Sequence, residues 1–339
     1  MSRDPTIEAT RTGSDTGVET SLRPPTFDDF VGQESVKQNL RVMAKSAQMR
    51  SATLDHVLLS GPPGLGKTSM AHILAEEMDV NIHVTSGPAL ERPADLAGIL
   101  TSLSEGDILF IDECHRMNTV VEENLYPAME DYCFDIIIGE GAHAQSVKMT
   151  LVPFTLVGAT TRRGLLTAPM RDRFGYVAQL DYYTVTQLQA IVERSASILD
   201  IHITDDGAAE IARRSRGTPR IANRLLNRVR DYAVVDERGA IDAELADYAL
   251  GCLDVDAAGF DYLDRLYLEA LVIKFGGGPT GLSTLASAIG EEKHTIEEVV
   301  EPYLLQEGFI QRTKTGRMAT RAAFEHLGVP FKPSQNSLL

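Results

Sequence analysis

Apolar and polar positions follow two regimes along the chain. Up to Tyr183, short apolar runs alternate with helically spaced segments: His56 to Ser60, Asn81 to Val84, Asp107 to Ile111, Phe154 to Ala159 and Tyr176 to Leu180 read as five strands. Gly32 to Met49 reads as a helix on Val36, Leu40 and Met43, and Thr68 to Met78 as a helix with Met70, Ile73, Leu74 and Met78 inward. Near-continuous apolar strands between helices predict a parallel sheet covered on both faces, an α/β domain. Leu22 to Phe30, punctuated by proline, reads as extended. Cys133 to Leu151 breaks the order with an apolar stretch, a Gly139-Glu140-Gly141 turn and an alternating stretch, the pattern of an inserted hairpin.

Beyond Tyr183 the strands stop. Thr186 to Leu199, Asp205 to Ser215, Pro219 to Val235 and Ala243 to Leu250 read as four helices of a small all-helical unit, and Asp254 to Gly259 as a linker. Phe260 to Phe275, Leu282 to Ile289 and Thr295 to Glu307 then read as three helices, with Phe309 to Ala319 as a β-wing. Three helices and a wing predict a winged-helix domain. The expected organisation is a disordered tail over 1–20, an α/β domain over 21–183, a helical lid over 184–254, a winged helix over 255–332 and a tail over 333–339.

Composition narrows the class. No apolar run approaches the ~20 residues of a membrane helix, and the first 20 residues lack the apolar core of a secretory signal. Cys114, Cys133 and Cys252 have no CxxC spacing and are too few for a disulfide framework, which points to a reducing cytoplasm. The formal charge is −16, from 32 basic and 48 acidic residues, which argues against a protein that coats nucleic acid. Two segments run the other way. Seven arginines and no acid lie between Arg213 and Arg230, and Arg312, Lys314, Arg317 and Arg321 lie between Ile310 and Arg321 with no acid. Such focused basic segments suggest anionic ligands bound at defined places.

The chemistry begins at Gly61-Pro-Pro-Gly64-Leu-Gly66-Lys67-Thr68, which fits G-x-x-x-x-G-K-[ST] between a strand and a helix. Its glycines let backbone N–H groups wrap phosphates, Lys67 places a charge on the β/γ-phosphates, and the Thr68 hydroxyl suits Mg²⁺. Ile108-Leu-Phe-Ile-Asp112-Glu113 is an apolar strand ending in two acids, with Asp112 expected in the Mg²⁺ shell and Glu113 polarising the attacking water. Asp112-Glu113-Cys114-His115 also looks like a DExH helicase box, but the other helicase motifs are missing. Adjacent Cys114 and His115 make a poor zinc pair. Thr160-Thr161 ends another strand, where a polar side chain would touch the γ-phosphate or the water. Arg173 is a candidate cation for the developing charge, with pairing to Asp172 as the alternative. Gly217-Thr-Pro219-Arg220 opens a helix with Pro219 at N1, and Arg224 and Arg228 behind it read as a solvated basic face.

These elements, in this order, resemble the AAA+ ATPases. Ser86-Gly-Pro-Ala-Leu-Glu-Arg-Pro, Leu125-Tyr-Pro-Ala-Met-Glu-Asp-Tyr, Phe134-Asp-Ile-Ile-Ile-Gly, Arg214-Ser-Arg-Gly-Thr-Pro-Arg-Ile-Ala-Asn-Arg and Lys274-Phe-Gly-Gly-Gly-Pro make the likeness closer, to the RuvB family of Holliday junction branch migration motors, over about Leu22 to Phe331. The resemblance implies an AAA+ P-loop domain, a lid and a winged helix. It implies that Leu22 and Arg23 contact the nucleotide base region, with Tyr183 and Arg220 closing it. Gly64, Gly66, Lys67, Thr68 and Ser69 would hold phosphates and Mg²⁺, and Glu130, Asp131 and Tyr132 would line the nucleotide site. Thr161 corresponds to sensor 1, Arg173 to the arginine finger and Arg220 to sensor 2. Lys293, Arg312 and Arg317 match DNA-contacting positions, and the 133–151 hairpin matches the part that binds RuvA.

Ser69 stands where the family usually has Thr, Cys114 where it has an aliphatic residue (an expected site of oxidation), and Gln145 where an Arg is expected at the hairpin tip. Lys293-His294 replaces an Arg followed by an acid, which keeps charge but not bidentate contact. Lys314-Thr315 alters the wing tip. The expected protein is an ATP- and Mg²⁺-dependent homo-hexameric motor that pulls duplex DNA through itself at Holliday junctions, with a RuvA-type junction binder and a RuvC-type resolvase as partners. Two alternatives stand beside it: a protein-remodelling or clamp-loading AAA+ machine, and a nucleotide-gated DNA-binding regulator.

Overall fold

In the computed structural model, residues 21–138, 145–237 and 239–331 are described. The chain folds as two compact units that divide between Tyr183 and Thr184. The expected tails at 1–20 and 333–339 and the hairpin tip around Gly139 to Gly141 lie outside the described residues.

The first unit is built on strands β1 (Val57–Ser60), β2 (Ile82–Ser86), β3 (Ile108–Asp112), β4 (Cys133–Ile138), β5 (Gln145–Thr150), β6 (Thr155–Thr160) and β7 (Tyr176–Gln179). Five of them form one parallel sheet in the order β2-β3-β6-β1-β7. Every residue of β1 and β6 is buried, as the unbroken apolar runs predict for a sheet covered on both faces. Strands β4 and β5 form the expected antiparallel hairpin, Cys133 opposite Thr150, and Phe134 and Leu151 anchor its base in the core.

Helices Glu34–Arg50 and Lys67–Met78 stand where the periodicity places them. Three more, Pro93–Leu100, Thr119–Asp131 and Ala168–Asp172, do not stand out in the apolar pattern. Their start signals are present, since the Asn118 and Thr167 side chains cap the last two by accepting from the Val120 and Met170 amides. Pro127 inside Thr119–Asp131 masks that helix, because proline removes a ladder donor. Leu22 to Phe30 is a series of turns rather than extended chain, drawn in by burial of Leu22, Phe27 and Phe30.

The second unit opens with helices Val185–Ile198, Asp205–Arg213, Pro219–Val235 and Ala243–Cys252. Tyr262–Glu269 follows and widens into a π turn over Ala270–Lys274. Leu282–Ile289 comes next, and then a helical run from Lys293 to Gln306 with a second π turn at Ile296–Val300. Strands β8 (Ile310–Thr313) and β9 (Gly316–Ala319) form the wing. A last helix, Arg321–His326, has no counterpart among the expected elements. Phe260 anchors this core, edge-on to Tyr303, Phe309 and His326.

The basic segment from Arg213 to Arg230 corrects the sequence reading. Acids from outside it neutralise much of its charge. Arg213 and Arg214 pair with Glu210, Arg214 also with Asp247, and Arg216 with Asp264; the more exposed Arg228 and Arg230 meet Asp231. Arg224 is buried at 7% exposure rather than solvated.

Candidate functional site

The β order places the P-loop strand β1 beside β6, and β6 beside β3, so three strand ends meet at the carboxyl edge of the sheet. Open α/β sheets bind ligands at this edge. The loop after β1 is held by a bond from the Gly61 amide to the Thr160 carbonyl (3.1 Å) and by close packing. A Cβ on Gly66, where φ is +98°, would fall 2.8 Å from the Phe30 ring. Helix Lys67–Met78 starts at Gly66 with no side-chain cap, which leaves first-turn amides available for an anion. Lys67 is buried, its Nζ donating to the Gly61 and Pro62 carbonyls at 2.8 Å each, and Thr68 and Ser69 follow in the same turn. Among the described residues, no three His, Cys, Asp or Glu side chains form a metal cluster. The Thr68 hydroxyl and Asp112 carboxylate are hard oxygen donors of the kind Mg²⁺ takes alongside nucleotide phosphates.

Glu113 follows β3 in a left-handed conformation (φ +48°). Its Oε2 accepts from the Thr161 hydroxyl at 3.0 Å and lies 3.1 Å from His115 Nδ1. Burial opposes its ionisation, but the bonds from His115 and Thr161 and the charge of Lys67 outweigh burial and hold the carboxyl below its usual range. His115, its side chain 5% exposed and also 3.0 Å from the Thr160 hydroxyl, is placed to orient the acid. From the sequence, His115 reads as a poor zinc ligand or as the end of a DExH-like string; its position two residues after Glu113 is the signal that points to this role. Cys114 corrects a second expectation. It is 1% exposed, and burial pushes its thiol up, so the thiolate needed for oxidation is suppressed.

Tyr183 donates to the Leu65 carbonyl at 3.0 Å, which sets it against the P-loop. Leu22 is buried, and Arg23 Nη1 lies 2.9 Å from His72 on the helix that the P-loop opens. Arg220 belongs to the second unit, in the first turn of Pro219–Val235.

Arg173 lies elsewhere. It precedes β7, at the amino edge of the sheet, opposite this chain's own P-loop. Its guanidinium sits 4.3 Å over the Tyr126 ring, donates to the Pro169 carbonyl and pairs with Glu130 at 3.0 Å, not with Asp172. Tyr132 packs edge-on against Phe154, just ahead of β6. Glu130, Asp131 and Tyr132 lie on that side too, away from this chain's own P-loop. Helix Thr119–Asp131 carries them to the other edge of the sheet.

In the second unit, Lys293 is exposed at the start of its helical run. Arg312 and Arg317 face each other across the wing and share the carboxylate of Glu301, whose burial is complete.

Comparison with known families matches three consecutive segments: residues 22–180 to the Holliday junction DNA helicase RuvB P-loop domain, 183–256 to the RuvB AAA lid domain, and 257–328 to the RuvB C-terminal winged helix domain. The chain belongs to the RuvB family. Among solved structures, the Thermotoga maritima RuvB Holliday junction branch migration motor is 49% identical, covering 92% of this chain and 100% of that one, with a TM-score of 0.84. Two single-substitution variants of the Thermotoga protein match likewise: one at 50% identity, 92% and 99% coverage and a TM-score of 0.85, the other at 49%, 91% and 100%, and 0.85. The RuvB-family P-loop, lid and winged helix account for both units described above. No helix among the described residues is long and apolar enough to cross a membrane.

Proposed function

We propose that this RuvB-family chain is an ATP-hydrolysing motor that drives branch migration of Holliday junctions by pulling duplex DNA through a homo-hexameric ring. The reading takes residues 21–183 as the ATPase domain, 184–254 as the lid and 255–332 as the DNA-binding winged helix. The observation that carries it is the separation of Arg173 from its own P-loop by the length of the sheet. A cation so placed serves a neighbouring subunit's nucleotide, and Glu130, Asp131 and Tyr132, on the same edge, line that neighbour's site.

In the shared site, Gly64, Gly66, Lys67, Thr68 and Ser69 bind the phosphates, with Leu22, Arg23, Tyr183 and Arg220 around the base and sugar. Mg²⁺, held by Thr68 and Asp112 when bound, offsets charge on the β/γ oxygens. Glu113, ionised and fixed by His115 and Thr161, orients the water that attacks the γ-phosphorus. The bond to the β–γ bridging oxygen then breaks, with Lys67 and the neighbour's Arg173 stabilising the leaving charge. Thr161 reads the γ-phosphate and Arg220 senses it from the lid.

Lys293, Arg312 and Arg317 contact DNA phosphates without reading bases, as the arginines and lysine of the wing suit. The 133–151 hairpin docks a RuvA-type junction binder, a RuvC-type resolvase acts on the moved junction, and the complex works in the cytoplasm. Turnover with and without a closed four-way junction tests the reading. Junction DNA should stimulate wild-type hydrolysis and leave Lys67→Ala silent; hydrolysis indifferent to DNA would point to a remodelling machine instead.

A further inference from the structure

Arg312 and Arg317 are direct cross-strand partners on β8 and β9. Two like charges placed opposite one another destabilise a hairpin, so something must hold them together. That group is Glu301, which is fully buried beneath them on the preceding helix. Its Oε1 accepts from Arg317 Nε at 2.8 Å and from the Tyr267 hydroxyl at 3.0 Å. Its Oε2 accepts from Arg312 Nε at 2.8 Å and Nη2 at 2.6 Å, and from Arg317 Nη2 at 3.3 Å. Glu297 takes a further bond from Arg317 Nη2 at 3.1 Å.

The pattern of nitrogens matters. Both guanidiniums meet the carboxylate through Nε and Nη2, and the remaining nitrogen of each, Nη1, has no hydrogen-bond partner among the described residues. The backbone of Arg317 is fixed as well, exchanging bonds with Thr280 at 2.9 and 2.8 Å. A buried acid beneath a phosphate-binding surface weakens attraction for DNA, and it must be matched by donors to be tolerated. What it provides is orientation, by ordering two long, rotamer-rich side chains before any phosphate arrives.

We infer that Glu301 is the positioning residue of the wing's phosphate grip, holding Arg312 and Arg317 side-on so that their Nη1 groups are presented together to the DNA backbone. The inference rests on the reading of the wing as a DNA contact. It adds a residue that touches no DNA itself, and its expected effect is opposite in sign to simple electrostatics. Removing a negative charge below the wing should weaken DNA binding.

The experiment measures duplex binding by the full-length protein with a non-hydrolysable ATP analogue, over a range of salt, for wild type, Arg312→Ala, Glu301→Gln and Glu301→Asp. Glu301→Gln keeps shape but loses charge, whereas Glu301→Asp keeps charge but cannot reach both arginines, and it carries the test should the first variant not fold. Both should bind about tenfold more weakly, and the slope of log affinity against log salt should shrink by about 0.9 for each phosphate no longer neutralised. Loss of the buried contacts lowers the melting temperature of both variants, so binding is read well below it, where DNA-free ATP turnover near that of wild type shows that the ATPase domain is intact. Tighter binding by Glu301→Gln, or an unchanged salt slope in both variants, would overturn the inference. If Arg312→Ala binds as wild type does, it is the wing's assignment as a DNA contact that fails; if Arg312→Ala weakens binding and the Glu301 variants do not, only the positioning role fails.

Discussion

Arg216 Nη1 lies 2.8 Å from Asp264 Oδ2, with the two side chains 4% and 0% exposed, so the turn that opens the Arg220 helix is tied directly to the first helix of the winged domain. Arg216 adopts φ +55°, sits 4.9 Å over the Tyr303 ring, and its Nη2 donates to the Val299 carbonyl at 3.3 Å. Lid and winged helix thus share a buried polar joint two residues after Arg214 and four before Arg220. Through the Val299 carbonyl the joint also reaches the helical run that carries Glu301.

Removing one partner of a buried pair leaves the other charge uncompensated, at a cost of about 3–5 kcal/mol. Arg216→Gln should therefore lower the melting temperature of the lid and winged-helix unit, followed by calorimetry. Hydrolysis without DNA should persist within about twofold, because the ATP-side groups are untouched, while junction movement per ATP falls about tenfold if the joint transmits the stroke.

His115→Ala tests the orientation of Glu113. Without the His115 bond, burial raises the Glu113 pKa, and the acid limb of the pH–rate profile moves to higher pH. The sign follows from the wild-type state. A carboxyl held below its usual range stays ionised throughout the neutral region, and activity is lost only as pH falls through that depressed value. Turnover at neutral pH should fall about tenfold or more through misplacement of the attacking water. An unmoved acid limb would separate His115 from Glu113.

Gly66→Ala adds a methyl that meets the Phe30 ring at 2.8 Å in a backbone conformation that L-residues rarely adopt. Strain of this kind costs about 1–3 kcal/mol. The loop should shift to relieve it and lose ATP affinity by roughly ten- to hundredfold, measured by titration with a fluorescent nucleotide.

Arg173→Ala should bind ATP and fail to hydrolyse it, whereas Lys67→Ala should lose hydrolysis through its own P-loop. Mixed together, the two should recover part of the activity, because some interfaces then pair an intact P-loop with an intact Arg173. A mixture as silent as its components would contradict a site shared between subunits.

Much of this molecule is legible from its sequence, because the central strands β1, β3 and β6 are near-continuous apolar runs and the P-loop announces the turn between β1 and its helix. Asp112 and Glu113 are readable for the same reason, as acids at the end of such a run. The partners that tune these groups are not. Glu301 lies eleven residues from Arg312 and sixteen from Arg317, and only the return of the wing over its helix brings the three together. Arg224 looks solvated because it follows Arg220 on a basic stripe, yet packing buries it. Glu130, Asp131 and Tyr132 match nucleotide-lining positions by resemblance, which says nothing of the edge of the sheet they occupy. Pro127 conceals the helix that answers that question.

The most direct test of the motor reading is ATP-dependent dissociation of a synthetic four-way DNA junction by the full-length protein, with and without a RuvA-type junction binder. Dissociation that the binder stimulates and that Lys67→Ala abolishes is the expected result. ATP hydrolysis at wild-type rates with the junction intact and the binder present would contradict it.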